Sequence, residues 1–261
     1  MDQHTFAVCA YGESPFLKAC IKSLIVQTEA GRIIFVTSTP NKYISDIADQ
    51  YNIPLYVNAK GGIVQDWNFA YQSADTPYVT ITHQDDIYFA DYRKHLLEVL
   101  NNEEEPIIYF TDYVEIRNGK KIISNTLLRV KRAMLWPLRI KKLRYSKFVR
   151  RRILSLGSPI CCPAVTFVKK NIPGEPFTPG FRSDEDWEAW ERLSKLKGGF
   201  IYDPRKNVAH RIHKQSETSV VLQDNARVNE DYIMFCKFWP VVIAKRLAKI
   251  YSASEKSNSL D

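Results

Sequence analysis

The residues best suited to chemistry follow an apolar strand. Tyr78 to Thr82 is a β-branched, apolar run that predicts a buried strand, and it leads directly into His83, Gln84, Asp85 and Asp86. Adjacent carboxylates raise each other's pKa unless something neutralises them. A divalent cation does so, and carboxylate ligands suit Mg²⁺ or Mn²⁺. The alternative interpretation is an acidic turn that caps the next helix.

A second acidic cluster stands at the predicted start of a helix. Asp184, Glu185 and Asp186 stand at the front of a predicted helix that contains Trp187 and Trp190, and the helix macrodipole favours acids at this end. They are either first-turn acids without a further role or include a general base that activates a hydroxyl group. The polar stretch from Val208 to Thr218 adds two histidines and an arginine, which suit a metal or a diphosphate.

Alternating strands and helices in the first hundred residues must position these groups. This alternation predicts parallel strands joined by right-handed crossovers, with helices on both faces and ligands bound at the carboxyl ends of the strands. Because neither a GxGxxG motif nor a P-loop follows the first strand, a dinucleotide dehydrogenase or P-loop NTPase is disfavoured. The predicted strands are Thr5–Tyr11, Arg32–Thr37, Pro54–Val57 and Tyr78–Thr82, and the predicted helices are Phe16–Thr28, Asn41–Gln50, Ile63–Ser73 and Ala90–Leu100.

The pattern changes after Pro106. Asn118-Gly119 predicts a two-residue hairpin turn. Further predicted elements are strands at Ile107–Arg117, Cys161–Val168 and Phe200–Tyr202, an irregular stretch at Val208–Thr218, an amphipathic helix at Asn225–Tyr251 interrupted at Pro240, and a disordered tail at Ser252–Asp261. We divide one continuous domain into an α/β half (1–115), a second half with a basic helical insertion at about 127–156 (116–224), and a C-terminal helix with its tail (225–261).

The composition is that of a globular protein, with 45% hydrophobic and 25% charged residues in a chain of 261. The sequence lacks a basic-then-apolar leader and an apolar run of the ~18 residues that span a bilayer, so a cytoplasmic location is expected. The five cysteines lack a metal-type spacing, and the adjacent Cys161 and Cys162 are expected to be small core residues in a reducing compartment rather than a redox pair.

Positive charge is concentrated in one segment. The net charge is +8, and 16 lysines and arginines but no acidic residue lie between Glu115 and Glu175. Three interpretations stay open: a solvated cationic face, a nucleic-acid surface and a membrane-surface element. The membrane-surface element is favoured because apolar residues alternate with the cations along the segment, as in interfacial helices. These residues are Leu135, Trp136, Leu138 and Phe148, and Pro137 predicts a break in the helix.

Four segments, in this order, resemble family 2 glycosyltransferases. They are AVCAYGESPFLKACIKSLIVQT, GGIVQDWNFAYQSADTPYVTITHQDD, SDEDWEAWERLS and HRIHKQSET. The resemblance covers Phe6 to about Tyr251. It implies an α/β protein of the Rossmann-like GT-A fold, a nucleotide-diphospho-sugar transferase fold with a mostly parallel central sheet flanked by helices and a C-terminal helical extension.

The resemblance implies a role for each motif. Asp86, and secondarily Asp85, would hold a divalent metal, either Mn²⁺ or Mg²⁺, and Asp186 matches the catalytic aspartate, with Glu185 before it. Two positions depart from the family pattern: His83 stands where many relatives carry an aspartate, and Thr37-Ser38-Thr39 stands where the family often has one. His213 is the implied ligand of the metal or the diphosphate, with His210 as the alternative. Ser216 and Thr218 are implied hydrogen-bond donors to a phosphate. The residues implied at the nucleotide-sugar are Tyr11, Glu13, Asn58, Gly62, Asn68, Asp85 and Arg211.

The implied activity is the inverting, metal-dependent transfer of a sugar from a nucleotide diphosphate, with a UDP-sugar as the expected donor. The acceptor would be a glycan or a lipid-linked glycan in surface polysaccharide synthesis, at the inner face of the cytoplasmic membrane. No nucleic-acid partner is expected, and the oligomeric state stays open. One alternative is a non-catalytic basic protein that binds membrane or nucleic acid on a nucleotide-binding fold. Another is a nucleotidyltransferase, which needs a glycine- and basic-rich loop that does not follow the first strand.

Overall fold

The computed structural model describes residues 2–213 and 226–256. The strands form one nine-stranded sheet. They are β1 (His4–Cys9), β2 (Arg32–Thr37), β3 (Leu55–Val57), β4 (Tyr78–His83), β5 (Ile87–Tyr88), β6 (Pro106–Arg117), β7 (Lys120–Ile122), β8 (Val165–Val168) and β9 (Gly199–Ile212). Their order is β3-β2-β1-β4-β8-β6-β9-β5, and β7 pairs with β6. Among these strands β5, β7 and β8 run opposite to the other six, so the sheet is mostly parallel.

Helices cover the sheet and extend beyond it. They are α1 (Leu17–Ile25), α2 (Lys42–Gln50), α3 (Ile63–Ser73), α4 (Tyr92–Leu100), α5 (Thr126–Leu135), α6 (Lys141–Arg144), α7 (Lys147–Leu154), α8 (Glu185–Leu193), α9 (Ala226–Cys236) and α10 (Val241–Lys256). Short 3₁₀ turns lie at Trp136–Arg139, Cys162–Ala164 and Lys169–Asn171. Within the described ranges, no helix is both long enough and apolar enough to cross a membrane.

The strand–helix alternation predicted for the first hundred residues is confirmed. β1 is parallel to both β2 and β4, and β2 is parallel to β3. The register places Cys9 beside His83, so the carboxyl ends of β1 and β4 meet where the first acidic pair begins. This edge of the sheet is where open α/β folds bind their ligands.

One prediction about strands is wrong, and one strand was not predicted. Val208 to Ile212 is not irregular, because Gly199–Ile212 forms one 14-residue strand. It runs parallel to β6 with register shifts near Asp112, and it also pairs with the unpredicted two-residue strand β5, placing Ile87 opposite Ala209. Pairing with two neighbouring strands overrides the polar composition of this stretch, since strand formation depends on context more than on intrinsic preference.

The basic segment contributes to the core as well as to the surface. The break predicted at Pro137 is confirmed, and the Asn118-Gly119 turn joins β6 to β7. However, Leu135 and Leu138 are buried, so the expectation that they face a membrane is wrong. Trp136 and Phe148 are 57% and 71% exposed, so only these two of the four predicted residues are on the surface.

Many cations of the basic segment serve the fold. Arg150 is 1% exposed and donates to the backbone carbonyls of Ser194, Leu196 and Gly198, just after α8. A cation at the carboxyl end of a helix is stabilised by the macrodipole. Three further arginines form ion pairs, Arg132 with Asp112, Arg144 with Glu103 and Arg151 with Glu191.

The C-terminal helical extension is confirmed, with α9 and α10 separated at Pro240. The helix continues to Lys256, so the prediction of a disordered tail from Ser252 is wrong up to that residue. Residues 257–261 lie outside the described part of the chain. The boundary drawn at 115 falls inside β6, and both halves contribute strands to the same sheet.

His4 in β1 should make stability depend on pH. Its side chain is fully buried beside Thr80, and burial, aided by Arg93, lowers the pKa of His4 from 6.5 to about 3. Because the folded-state pKa lies below the unfolded-state value, the unfolded chain binds more protons in this window and stability falls as the pH falls through it. From pH 7 to pH 5, wild type should lose about 2 kcal/mol more unfolding free energy than His4→Gln. Urea unfolding measures this, and equal losses would contradict the assignment.

Candidate functional site

A cavity of about 790 Å³ opens at the carboxyl edge of β1 and β4. Both acidic clusters predicted from the sequence reach its wall, although about a hundred residues of chain separate them. Of the predicted site residues, those that line the cavity are Tyr11, Gly62, Asp85, Glu185, Asp186, His210 and His213.

Asp86 is buried beneath this wall. Its carboxylate is 0% exposed and lies 3.0 Å from His210 Nδ1, and the backbone N–H of Arg211 donates to it at 2.7 Å. A buried carboxylate is tolerated only with such partners. Burial alone would lower the pKa of His210, but the charge of Asp86 and its hydrogen bond raise it. Asp86 therefore does not line the cavity itself, although one of its carboxylate oxygens belongs to the group of possible metal ligands described below.

Asp85 is the aspartate that faces the cavity. Its side chain is 19% exposed, and Oδ2 lies 3.0 Å from His213 Nε2. Burial alone would raise the pKa of Asp85, but the hydrogen bond to His213 and the nearby His83 and His210 lower it, so the group is ionised at neutral pH. The Arg211 side chain donates to the Asp85 carbonyl and lies 4.4 Å from the Phe16 ring centre; it does not line the cavity.

His83, Asp85 and Asp86 form a group that suits a divalent ion. One ligand atom from each lies within 4.8 Å of the others. His83 stacks on Trp67 at 5.2 Å between ring centres, and burial lowers the pKa of His83, which keeps the imidazole neutral. Its buried Nε2 has no hydrogen-bond partner within the described residues. A neutral imidazole with two carboxylates fits Mn²⁺ better than Mg²⁺, which strongly prefers oxygen ligands.

The second acidic cluster lies at the amino end of α8. Asp184 and Glu185 are buried, and Asp186 is the least buried of the three. The loop before the helix is held by Glu230 of α9. Glu230 accepts hydrogen bonds from the backbone N–H groups of 182, 183 and 184 and from the Ser183 hydroxyl, at 2.7 to 3.3 Å. Sequence analysis missed Glu230 because no motif links it to a loop 47 residues away.

The side of the cavity formed by the first half of the chain presents aromatic and polar groups. Tyr11 is 64% exposed, and the Gln84 side chain bonds to both its backbone N–H and its carbonyl, at 2.9 and 3.1 Å. Gly62 has a φ of +129° at the start of α3, where a Cβ would collide with Gln65. Such a conformation favours glycine and lets the backbone form the wall itself.

The sequence model of the family described as Glycosyl transferase family 2 matches residues 5–172. This chain belongs to glycosyltransferase family 2. It is also similar to an uncharacterized glycosyltransferase of Rickettsia conorii, with 23% identity over 229 residues that cover 84% of this chain and 35% of that protein. The chain thus spans about a third of the length of this curated relative.

Solved glycosyltransferases share the fold. The crystal structure of S. aureus TarS 1–349 in complex with UDP-GlcNAc aligns with a TM-score of 0.63 at 13% identity, over 94% of this chain and 70% of that one. The mannosyltransferase PcManGT from Pyrobaculum calidifontis, in complex with GDP-Man and Mn²⁺, aligns with a TM-score of 0.61 at 13% identity, over 100% of this chain and 76% of that one. The predicted GT-A fold is confirmed.

Besides Arg211, three residues predicted to bind the donor do not line the cavity of this family 2 protein. Glu13 is exposed on the surface. Asn58 is buried and donates to Lys60 and Asp66, and Asn68 is buried and donates to Glu175 and Phe177. Both asparagines hold loops in place, because a buried amide must satisfy its hydrogen bonds locally. Ser216 and Thr218 lie outside the described residues.

Asp66 is a cavity residue that sequence analysis missed. It lines the wall from the first turn of α3, and Ser38 and Asn58 donate to its two carboxylate oxygens at 2.6 and 2.8 Å. Asp66 thus brings a carboxylate to the end of β2, where Thr37-Ser38-Thr39 lacks the aspartate often found in the family. Its place within the segment that begins GGIVQDWN was the available signal, but only the fold shows which way its side chain points.

Replacing His83 should change the metal preference. His83→Asp exchanges a nitrogen ligand for oxygen, so the ratio of Mn²⁺ to Mg²⁺ affinity should fall by roughly tenfold. Calorimetric titration of each metal into the protein with UDP measures the ratio. His95→Asp on α4, outside the cavity lining, is the matched control. An unchanged ratio in His83→Asp would show that the imidazole is not a ligand.

Removing Glu230 should loosen the loop that leads into α8. In Glu230→Ala, several amides lose a charged acceptor, so hydrogen exchange at residues 182–184 should quicken by roughly tenfold or more. Asn229→Ala, an exposed neighbour on the same helix, should leave exchange unchanged. Exchange resolved by mass spectrometry or NMR provides the readout. Equal protection in Glu230→Ala would mean that the loop is held by other contacts.

Proposed function

We propose that this protein is an inverting, metal-dependent glycosyltransferase that moves a sugar from a nucleotide diphosphate to an acceptor hydroxyl. One observation carries the proposal: a single cavity brings together the His83–Asp86 group and the Asp184–Asp186 cluster. The first suits a metal-bound diphosphate, and the second supplies carboxylates for proton transfer. Metal-dependent, inverting sugar transfer from a nucleotide diphosphate uses both.

The His83–Asp86 group is prepared for the leaving diphosphate. When bound there, a divalent ion would offset the negative charge that develops as the bond to the anomeric carbon breaks. His83 and Asp85 would hold it from the wall, with Asp86 behind them. The hydrogen bond from His213 keeps Asp85 ionised and oriented, and hydrogen bonds from His210 and the Arg211 backbone N–H orient Asp86. Such supporting contacts restrict the ligands to one geometry.

Asp186 is the proposed general base, with Glu185 as the neighbouring carboxylate. The acceptor hydroxyl loses its proton to Asp186 as its oxygen forms a bond to the anomeric carbon. The bond to the diphosphate breaks on the opposite face, and the diphosphate leaves with the electron pair. This direct displacement inverts the anomeric centre and forms no covalent intermediate with the enzyme.

The donor nucleotide is proposed to be UDP, bound at the Tyr11 and Asp66 side of the cavity. The exposed Tyr11 ring is placed to stack on a base, and the Asp66 carboxylate is an acceptor that suits the imide N–H of uracil. TarS was solved with UDP-GlcNAc and PcManGT with GDP-Man, so the fold alone leaves both nucleotides open.

The acceptor is proposed to be a glycan or lipid-linked glycan of surface polysaccharide synthesis, with the enzyme at the inner face of the membrane. Exposed Trp136 and Phe148 support this placement, as does Arg152, which contacts Phe148 and Trp239. The alternative of a non-catalytic basic binding protein is not favoured. Several of the cations it needs are buried or in ion pairs, as Arg150 and Arg132 illustrate.

Nucleotide binding tests the proposal directly. Wild type should bind UDP in a Mn²⁺-dependent manner, and Asp85→Asn should weaken this binding by roughly tenfold or more. Asp186→Asn should keep UDP binding but lose roughly 100-fold or more in transfer rate, because the base acts only in the chemical step. Calorimetry and a sugar-nucleotide panel measure these effects.

The matched control is Asp46→Asn, which removes an exposed carboxylate on α2 that is outside the cavity lining. It should leave both binding and transfer unchanged. If wild type bound neither UDP nor GDP with any divalent metal, the proposed activity would be refuted.

A further inference from the structure

The cavity has two chemically different ends. One end carries the histidines and acids described above. The other is formed largely by apolar side chains of α5, α10 and the turn after α7. They include Val130, Met134, Leu156, Ile160, Leu247 and Ile250. A sugar nucleotide is polar and charged, so it does not explain this second end.

Part of the apolar end is open to solvent. Val130, Leu156 and Ile250 are 50%, 51% and 67% exposed, and all three line the same cavity. Soluble proteins keep contiguous exposed apolar groups mainly where a ligand or another surface covers them. Leu247 and Met134 lie deeper, so the apolar wall continues from the opening into the cavity.

Cations accompany this apolar end. Lys131 lines the cavity from α5, next to Val130 in the chain, and its ammonium donates to the Tyr113 hydroxyl at 3.2 Å. On α10, Lys245, Arg246 and Lys249 are exposed, and no acidic residue lies between Val241 and Ile250. An apolar channel beside positive charge matches a molecule with an anionic head and an aliphatic chain.

We propose that the acceptor is a lipid-linked one, a sugar or glycan attached through phosphate to a long aliphatic chain. Its hydroxyl points toward Asp186, its phosphate lies near Lys131, and its chain leaves the cavity between Val130 and Ile250. The exposed cations of α10 face the anionic lipid surface from which the acceptor comes. This inference rests on the proposed function and narrows its acceptor to one class.

Binding of simple alkyl phosphates tests the apolar end alone. Decyl phosphate and butyl phosphate share a head group and differ only in chain length. They are titrated by calorimetry into protein saturated with UDP and Mn²⁺, so that the diphosphate region is occupied. Because each buried methylene strengthens binding up to about fourfold, decyl phosphate should bind wild type roughly tenfold or more tightly than butyl phosphate.

Two variants at equally exposed positions of one helix distinguish binding of the alkyl chain in the cavity from binding on the outer surface. Ile250→Asp places a charge in the apolar opening and should reduce the decyl-to-butyl ratio to about threefold or less. Val242→Asp is its control, since Val242 is also 67% exposed on α10 but does not line the cavity. It should keep the wild-type ratio. Lys131→Gln should weaken both phosphates without changing the ratio.

Two results would overturn the inference. One is a wild-type ratio near one, and the other is an equal loss in Val242→Asp and Ile250→Asp, which would place the chain on the outer face of α10. UDP binding, measured in the same samples, keeps this outcome separate from the proposed function. If UDP binds but the alkyl phosphates show no dependence on chain length, only the proposal of a lipid-linked acceptor is refuted. If UDP does not bind, the proposed glycosyltransferase activity itself is refuted.

Discussion

Burial of the Asp86 carboxylate is the constraint on which the site depends. A charge with no exposure to solvent is stable only beside compensating groups. These come from β9, as the His210 ring and the Arg211 backbone N–H, so β9 must pass beside β5. The same strand then ends with His213 against Asp85. The strand that satisfies this buried carboxylate thus also orients the aspartate that faces the cavity.

Charged side chains also fix helix α8, which carries the acidic cluster on the other side of the cavity. Helix α8 is bounded by opposite charges from two other helices: Glu230 of α9 accepts from the amides before its amino end, and Arg150 of α7 donates to the carbonyls after its carboxyl end. Both charges complement the helix macrodipole and satisfy terminal backbone groups. The acidic cluster therefore stands on a helix fixed at both ends, which limits the movement of Asp186 relative to the sheet.

The first half of the chain and the rest of it contribute different kinds of side chain to the cavity. The parallel first half, a family 2 glycosyltransferase architecture, brings polar groups to the carboxyl edge of the sheet. The basic segment and the C-terminal helices add an apolar wall to the same cavity. Much of the positive charge that stands out in the sequence is used internally, by Arg150 and by ion pairs such as Arg144–Glu103. Charge density in a sequence is therefore a poor measure of the charge available to a partner.

The sequence by itself determined the alternation of strands and helices, the break at Pro137, the turn at Asn118-Gly119 and the order of motifs that identifies the family. These features depend on residues close together in the chain. Only the tertiary structure decided that Asp85 rather than Asp86 faces the cavity, that Asn58 and Asn68 hold loops, and that Glu230 supports α8. The contacts of the two aspartates with His210 and His213 join residues 124 and 128 positions apart. Local periodicity carries no information about such contacts, because strand pairing across the whole chain creates them.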